Sequence, residues 1–375
     1  MKATVLQANF AHALNSISRI VSTRTTLPVL GNILIEASRG KLAFSATDLE
    51  IAVSAESAGK VEEEGKITIP ARLLIDFVVN NNDENISLSL KDLTLSLKST
   101  KYQANIKGIS SEEFPTIPVV PKEKYCSLKS EDLLDALRKV VMATANDETR
   151  PVLAGVYMKF DGKYLIMAAT DSYRLAEKKL EISEVKEKKD IIIPSRAMNE
   201  LLRILSSEKS ESVDMVVDEN QVFFLIGSVQ IVSRLIEGSF PPYEQIIPKE
   251  EKILVKCNLA ETLSALKMSA IFAKDIANNI KFKIVPSPKD GAEASKLMIS
   301  STAKEIGDTT SEVKASVKGE GIEIAFNARY LLDVLNILPG DEVNMTFNDD
   351  ASPCIIRTEK DKSYTYLVMP LKIDN

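Results

Sequence analysis

Apolar residues recur at helical spacing in six segments of the chain. In the first segment Phe10, Leu14 and Ile17 fall on one side, and most residues between them are polar. A period of about 3.6 residues indicates an amphipathic helix that buries one face. The six predicted helices cover residues 7 to 21, 70 to 80, 129 to 144, 194 to 205, 258 to 274 and 328 to 338.

Short segments that alternate between apolar and polar residues lie between these helices. The clearest runs from Ile86 to Leu97, where leucines alternate with serine and threonine around the turn Lys91-Asp92. Equivalent hairpins are predicted for Val213 to Ile226 and for Val343 to Ile356. A period of two predicts a strand with one buried face. Each third of the chain thus predicts helix, strands, helix, strands, an α+β fold whose helices cover one face of antiparallel sheets.

The same sequence pattern occurs three times along the chain. Ala46-Thr47-Asp48 precedes Ile69-Pro70-Ala71-Arg72, and Ala169-Thr170-Asp171 precedes Ile193-Pro194-Ser195-Arg196. Asp48 and Asp171 lie 123 positions apart. A weaker third copy contains Phe326-Asn327-Ala328-Arg329. A fixed internal period defines the structural unit, so the chain is predicted to hold three repeated domains, at residues 1–120, 121–249 and 250–375.

Two proline-containing connectors separate the predicted domains. Phe114 to Lys122 ends the first domain, and Phe240 to Lys249 ends the second. Each contains three prolines, which favour a stiff, extended link.

Composition places the chain among ordinary globular proteins, with 375 residues of which 45% are apolar and 27% charged. It has neither a signal-peptide pattern nor an apolar run of the roughly 18 residues needed for a membrane span, so a cytoplasmic location is predicted. Three cysteines, far apart and never spaced as CxxC, predict reduced thiols with neither disulfides nor a zinc cluster. No metal and no cofactor are expected.

The charge distribution leaves a nucleic-acid partner open. A formal net charge of −6 by itself argues against one. The six predicted helices, however, carry ten Lys and Arg residues against seven Asp and Glu. If the helices share a face, that face is basic and can approach phosphates. The alternative, ordinary helix-surface charge with no common face, stays open.

The residues needed for common catalytic chemistry are missing. His12 is the single histidine, and neither GxGxxG nor GxxxxGK[ST] occurs. Asp48 and Asp171 could be catalytic carboxylates, but a residue repeated by duplication is more simply a turn residue of the scaffold. The chain is therefore predicted not to be an enzyme.

Six motifs, in order from one end of the chain to the other, resemble those of the bacterial DNA polymerase III sliding clamp, the β subunit. They are Leu27-Pro28-Val29-Leu30-Gly31-Asn32, Ala46-Thr47-Asp48-Leu49-Glu50, Ile69-Pro70-Ala71-Arg72, Ala169-Thr170-Asp171 with Arg174-Leu175-Ala176, Gly238-Ser239-Phe240-Pro241 and Tyr366-Leu367-Val368-Met369-Pro370-Leu371. The resemblance implies three domains of one fold and a head-to-tail homodimer that closes a ring around DNA. It also implies a basic inner face of helices and a role in DNA replication as a processivity factor.

The resemblance also assigns residues to three surfaces. The positions matching DNA contacts are Arg24, Arg72, Asn146 and Arg196. The positions matching a pocket for partner peptides are Arg150, Leu153, Thr170, Arg174, Leu175, Pro241, Ile246, Val368, Met369, Pro370 and Leu371, with Lys372 at the rim. The positions matching the dimer interface are Tyr102, Ile271 and Phe272.

The implied partners are double-stranded DNA, bound without sequence preference, and the replicative polymerase, the clamp loader and repair proteins, bound through short linear peptides. An alternative is an open repeat scaffold that binds proteins but never encloses DNA. A third hypothesis is a hydrolase that uses Asp48 and Asp171.

Overall fold

The structure is a computed structural model that describes residues 1–21, 27–147, 149–185, 187–274, 277–288, 294–303 and 307–372. Within these residues the chain forms six α-helices and 24 β-strands, numbered here in chain order. The helices are α1 (Gln7–Ile17), α2 (Ala71–Val79), α3 (Ser130–Val140), α4 (Ser195–Ser207), α5 (Leu259–Ala273) and α6 (Ala328–Leu335).

The strands fall into three groups of eight, one group for each repeat. The first group is β1 (Lys2–Leu6), β2 (Asn32–Ser38), β3 (Lys41–Thr47), β4 (Ile51–Glu63), β5 (Gly65–Pro70), β6 (Asn85–Lys91), β7 (Thr94–Lys98) and β8 (Gln103–Lys107). The second is β9 (Cys126–Lys129), β10 (Gly155–Asp161), β11 (Tyr164–Thr170), β12 (Arg174–Glu181), β13 (Lys189–Pro194), β14 (Ser212–Val217), β15 (Gln221–Ile226) and β16 (Val229–Arg234). The third is β17 (Ile253–Asn258), β18 (Asn279–Val285), β19 (Lys296–Ala303), β20 (Gly307–Lys318), β21 (Ile322–Asn327), β22 (Glu342–Phe347), β23 (Cys354–Thr358) and β24 (Asp361–Val368).

The chain forms two compact units rather than three. Unit 1 consists of Met1–Leu134 and Arg196–Leu235, and unit 2 of Asp135–Ser195 and Ile236–Asn375. Each unit contains one antiparallel 12-stranded sheet. The sheet of unit 1 holds β1 to β9 and β14 to β16, and the sheet of unit 2 holds the other strands.

The units differ from the repeats because strand pairing crosses the repeat boundaries. In unit 1, β16 of the second repeat pairs with β4 of the first, with Val232 opposite Ala52. In unit 2, β24 of the third repeat pairs with β12 of the second, with Leu367 opposite Leu175. The last strand of a repeat is thus hydrogen-bonded into the sheet of the preceding repeat.

The predicted apolar stripes of the helices face the sheets. Phe10 and Leu14 of α1 are fully buried, and Phe10 stacks on Phe44 of β3 with ring centroids 4.8 Å apart. In unit 1, α1 packs on β4 and against α2. In unit 2, α5 packs on β19 and β20 and against α6. The predicted arrangement of helices on antiparallel sheets is therefore confirmed.

Several predicted helix ends are wrong by a few residues. The first helix ends at Ile17, although Ile20 is fully buried in the turn that follows. The third ends at Val140 and continues as the short 3₁₀ turn Val141–Ala143. The sixth ends at Leu335, and α4 extends to Ser207. A buried apolar residue can continue the helical spacing of apolar positions beyond the last helical residue. The sequence pattern therefore locates helix ends poorly.

Two further features concern the described part of the chain. No helix there is long and apolar enough to cross a membrane. Within the same residues, no three His, Cys, Asp or Glu side chains are grouped so that they could hold a metal ion. All three cysteines are buried and unpaired, and burial raises the pKa of the Cys257 thiol to about 11.

Candidate partner-peptide and DNA-contact sites

A tight turn after β11 forms the centre of the candidate peptide site. Asp171 Oδ1 accepts hydrogen bonds from the backbone N–H groups of Tyr173 (2.9 Å) and Arg174 (3.0 Å). Thr170 Oγ1 donates to the Arg174 carbonyl (2.6 Å) and accepts from the Ser172 N–H (3.1 Å). Ser172 has a φ of 77°, a left-handed conformation that these bonds stabilise.

The first repeat builds the same turn after β3. Asp48 Oδ1 accepts hydrogen bonds from Glu50 N–H (3.0 Å) and Ile51 N–H (2.8 Å). Asp48 and Asp171 therefore act as turn residues, which was the simpler of the two interpretations made from the sequence.

Arg174 is buried at the start of β12 and is held on three sides. Its Nε donates to Asp171 Oδ2 (2.9 Å), and its Nη1 donates to Asp333 Oδ2 on α6 (2.6 Å). The guanidinium also lies over the Tyr330 ring, 4.4 Å from its centroid. Burial works to lower the pKa of Arg174, but its neighbours Tyr366 and Asp333 raise it more, so the side chain is charged. Charged hydrogen bonds thus tie the second repeat to the third.

The last described residues of the chain complete the site from the opposite side. Val368 of β24 lies opposite Arg174, and the Met369 N–H donates to the Tyr173 carbonyl (2.8 Å). The Leu371 N–H then donates to the Ala325 carbonyl of β21 (2.8 Å). Val368 is buried, whereas Met369, Pro370 and Leu371 are partly exposed. The end of the chain therefore presents a short apolar surface beside the turn.

The second connector supplies an apolar wall. Tyr243 is 3% exposed and packs in a cluster with Leu175 and Leu367. Its hydroxyl donates to Glu177 Oε2 (2.6 Å), and burial together with this bond raises its pKa. Pro241 is exposed just before Tyr243, and Ile246, at the end of the 3₁₀ turn Tyr243–Ile246, is 50% exposed.

Arg150 and Leu153 lie just before β10, on either end of a short 3₁₀ turn. Arg150 is exposed, and its Nη1 donates to Ser172 Oγ (3.2 Å). Leu153 is buried at the end of the 3₁₀ turn Pro151–Leu153. The site thus has a basic group at its rim and aliphatic side chains below.

The candidate DNA contacts are divided between the units. In unit 1, Arg72 of α2 is 93% exposed and lies 3.8 Å from Asp76, a weak surface pair. Arg196 of α4 is 58% exposed, with its Nη1 2.5 Å from Asp48 Oδ2. Asp48 Oδ2 is itself buried, and its charged neighbour is this arginine. In unit 2, Asn146 is exposed after α3. The fourth candidate, Arg24, lies outside the described residues.

The candidate dimer residues are exposed or partly exposed in the single chain. Tyr102, just before β8, is 46% exposed. On α5, Ile271 is 57% exposed and Phe272 is partly buried. Met268 is 54% exposed one turn before Ile271, which extends the apolar surface beyond the predicted residues.

Comparison with known families assigns the whole chain. Family models of the DNA polymerase III beta subunit match the N-terminal domain at residues 1–118, the central domain at 127–242 and the C-terminal domain at 244–372. The beta sliding clamp of Synechococcus elongatus is 34% identical over 100% of both chains, and that of Staphylococcus epidermidis is 31% identical over 99% of both. The chain belongs to the β sliding clamp family.

Solved clamp structures agree with the fold. The crystal structure of the DNA polymerase sliding clamp from Bacillus subtilis covers all of this chain with a TM-score of 0.93 at 28% identity. This clamp is a non-catalytic processivity factor of DNA polymerase III, and the family predicted from the motifs is confirmed. Three clamp domains account for the three repeats, although the compact units cut across the central one.

The structure brings together most of the residues assigned from the sequence to the candidate peptide pocket, all of which lie in unit 2. Strand pairing places Thr170, Arg174 and Leu175 beside the segment from Val368 to Leu371. The sequence did not reveal Tyr243, which packs on Leu175, or Asp333 and Tyr330, which hold Arg174. Tyr243 follows two prolines in a connector, a position that carries no periodic signal.

Proposed function

We propose that two copies of the chain close head to tail into a ring around duplex DNA, in the cytoplasm, and that partners dock on the ring through short linear peptides. Each chain would contribute three domains, at about residues 1–120, 121–249 and 250–375. The strand pairing between repeats is the observation that carries this proposal.

The pairing follows one rule: the last strand of a repeat pairs with the fourth strand of the preceding repeat. A second copy of the chain would extend this rule to the first repeat. β16, the last strand of the second repeat, pairs with β4, and β24, the last strand of the third, pairs with β12. β8 is the last strand of the first repeat, and β7 is its one partner strand among the described residues. By the same rule β8 should pair with β20 of a second copy, since β20 occupies the place of β4 and β12 in the third repeat.

The edge of β20 is open where this pairing requires it. Residues 315–318 pair with β17, while Gly307 to Val313 have β19 as their one neighbouring strand in the described chain. An open strand edge is a template for pairing with another chain. Pairing β8 with β20 is heterologous, and with three repeats per chain two chains would form a closed ring of six.

The exposed apolar residues lie next to these two edges. Tyr102 directly precedes β8, and α5, which carries Ile271 and Phe272, packs on β20. We propose that they form the apolar part of the dimer interface, with Met268 as an addition. Burying them would also cover the free edges, which removes a route to aggregation.

The proposed DNA contacts are Arg24, Arg72, Asn146 and Arg196. Enclosure keeps a ring on DNA by topology, so a few exposed cations that attract phosphates without reading bases are sufficient. The 93% exposure of Arg72 suits such a contact, because a side chain in water can follow a moving phosphate. Tight, directional contacts would oppose sliding.

The proposed peptide pocket contains the eleven residues assigned from the resemblance and the Tyr243 wall. Partly exposed Met369, Pro370 and Leu371 with Ile246 offer aliphatic surface, and Arg150 offers a charge for orientation. This combination of apolar walls and few polar groups suits an extended peptide. The expected partners are the replicative polymerase, the clamp loader and repair proteins. Two pockets on one ring would raise the effective concentration of linked partners.

Enclosure can be tested with sedimentation equilibrium and with loading onto nicked circular DNA. The expected result is a dimer that stays on circular DNA and is released when the DNA is linearised. Ile271→Arg should shift the protein to monomer and abolish retention, while Val119→Arg, at an exposed valine of the first connector that belongs to neither β8 nor β20, should not. Retention on linearised DNA without a block at its ends would contradict the proposal and favour the open scaffold.

The peptide pocket needs a separate test. Met369→Asp should abolish binding of a peptide from the polymerase while leaving dimer formation and DNA retention unchanged. The matched control is Met268→Asp, which should weaken the dimer but leave peptide binding intact. If Met369→Asp binds the peptide normally, the pocket is misplaced even though the ring is correct.

A further inference from the structure

The junction between the first and second repeats reproduces the backbone of the proposed peptide pocket within unit 1. The turn at Asp48 has the hydrogen bonds of the turn at Asp171. Leu49 has a φ of 79°, against 77° for Ser172. The Arg234 N–H donates to the Glu50 carbonyl (3.1 Å), as the Met369 N–H does to the Tyr173 carbonyl in unit 2.

The side chains on this shared backbone differ at many positions, five of which bear on ligand binding. Positions are matched by aligning the turn at Asp48 with the turn at Asp171, and β16 with β24. The first junction then has Leu27 in place of Arg150, Leu49 in place of Ser172, Ile51 in place of Arg174, Ala52 in place of Leu175 and Arg234 in place of Met369. The buried arginine with its two carboxylates is thus replaced by an aliphatic residue, and the arginine at the rim by a leucine.

A cavity of about 170 Å³ lies at this junction. Ile51, Ala52 and Val232 line it from the sheet, and Pro115 to Pro118 of the first connector line it from the other side. Ala52 is smaller than Leu175, which leaves more space beside the sheet. Leu49 lines the same cavity and is 50% exposed.

Leu49 is held in a backbone conformation that leucine rarely adopts. Only a few per cent of residues other than glycine have a positive φ, and a bulky side chain makes it less favourable. The hydrogen bonds of Thr47 and Asp48 impose it, with Leu49 N–H donating to Thr47 Oγ1 (3.0 Å). Strain of this kind concentrates at ligand-contacting sites. Here it keeps an apolar side chain exposed at the mouth of a cavity.

The charges at the mouth define what would fit. Arg234 and Glu50 are 65% and 62% exposed, and their closest charged atoms are 3.8 Å apart. Such a solvent-exposed pair is weak, so Arg234 is available to a carboxylate from a ligand. A ligand for this site therefore combines one aliphatic side chain with a neighbouring acidic group.

We propose that this cavity is a second peptide-docking site, which binds an extended segment of a partner protein through one aliphatic side chain, with an adjacent carboxylate on Arg234. The inference rests on the proposed function, because it extends peptide docking from the second junction to the first. It differs in ligand: the second junction has the buried cation Arg174 beneath its apolar surface and Arg150 at its rim, whereas the first is aliphatic at both positions and has its cation, Arg234, at the mouth.

The test is a titration of the full chain, with ¹³C-labelled methyl groups, with the acetylated and amidated pentapeptide Ser-Asp-Leu-Thr-Ser. Methyl resonances of Leu49, Ile51 and Val232 report the first junction, and those of Leu175, Val368 and Leu371 report the second. The expected result is saturable shifts at the first set. Leu49→Ser, which copies Ser172, and Arg234→Glu should each weaken this binding about fivefold.

Leu93→Ser is the matched control, because Leu93 is also 50% exposed in unit 1 but does not line the cavity. It should leave the affinity unchanged. Shifts confined to the second set would overturn the inference and support the proposed pocket. Shifts confined to the first set would support the inference, and the proposed pocket is then tested separately by Met369→Asp, because the two junctions differ in ligand. Shifts at the first set that Leu49→Ser and Arg234→Glu leave unaltered would also overturn it.

Discussion

The two junctions between repeats share a backbone but are stabilised by different means. At the second junction Lys139 and Lys178, 5% and 7% exposed, both bond Asp361 of β24, at 2.6 and 2.7 Å. The matching positions of the first junction are Ser16 and Ala55, both buried. Arg174 likewise corresponds to Ile51. The two junctions thus share their strand pairing, whereas the buried charges Lys139, Arg174 and Lys178 of the second junction have uncharged counterparts at the first.

The buried charges should make the second junction more sensitive to single substitutions. Removing one member of a buried ion pair leaves its partners without compensation, whereas truncating an apolar side chain removes only buried area. Asp361 neutralises two lysines at once, and Asp135 also contacts Lys139 (2.7 Å). Three measurements would test this difference, and a fourth tests the candidate DNA contacts.

The largest effect is expected for Asp361→Asn. Two buried lysines would lose their shared carboxylate, and the free energy of unfolding should fall by about 3 to 5 kcal/mol. Chemical denaturation measures it. The control is Asp161→Asn, which removes an exposed pair with Lys188 and should cost less than about 0.5 kcal/mol. Equal losses in both variants would mean that the second junction is not held by its charges.

A smaller loss is expected when the first junction is copied into the second. Arg174→Ile leaves Asp171 and Asp333 without their cation and should lower the free energy of unfolding by about 2 to 3 kcal/mol. Peptide binding at Met369 should weaken as well, because the turn and α6 lose their link. The apolar control Ile51→Val should cost about 1 kcal/mol. A neutral Arg174→Ile would show that the two junctions are interchangeable.

The third effect is a dependence of the free energy of unfolding on pH. Burial acts to raise the pKa of Asp361, but hydrogen bonds from Lys139 and Lys178 outweigh it and lower the pKa to about 2. A lowered carboxyl pKa stabilises the fold above the ordinary value near 4, and this stabilisation is lost as pH falls towards 2. It should amount to about 2 kcal/mol. Denaturation of the wild type at pH 5 and pH 2.5 measures it, and Asp361→Asn should lack this component.

The smallest effect concerns the candidate DNA contacts. Arg72→Ala should leave the unfolding midpoint unchanged and reduce the slope of log affinity against log salt by roughly one unit for each phosphate that is no longer neutralised. Arg196→Ala should reduce it less, because Asp48 lies beside Arg196 and already neutralises part of its charge. Equal changes in the two slopes would show that Asp48 does not influence Arg196.

Local structure was largely predictable from the sequence. Apolar periodicity placed all six helices, and alternation placed the hairpins of the three repeats, because both patterns record which face of a single element is buried. The turn at Asp48 was also within reach, since an aspartate that caps its own turn acts over three residues.

Contacts between distant segments were not predictable. Arg174 and Asp333 lie 159 positions apart, and Lys139 and Asp361 lie 222 apart. Each side chain reads as an ordinary surface charge in its own segment, and only the tertiary fold buries it with a partner. The same holds for β16 and β24, because no local sequence pattern indicates that a strand pairs with the sheet of the preceding repeat.

β16 pairs with the edge of β4, and β24 pairs with the edge of β12. The repeated segment of sequence therefore does not coincide with the segment that folds as one compact unit. A polypeptide cut at residue 120 would leave Ile51 to Ala55 with a bare edge, ready to pair with whatever strand it meets. Adding or deleting one whole repeat would recreate that problem at the new end. By the same rule, further duplication would again leave the fourth strand of the last repeat with an open edge, as β20 has at Gly307 to Val313 within the described chain.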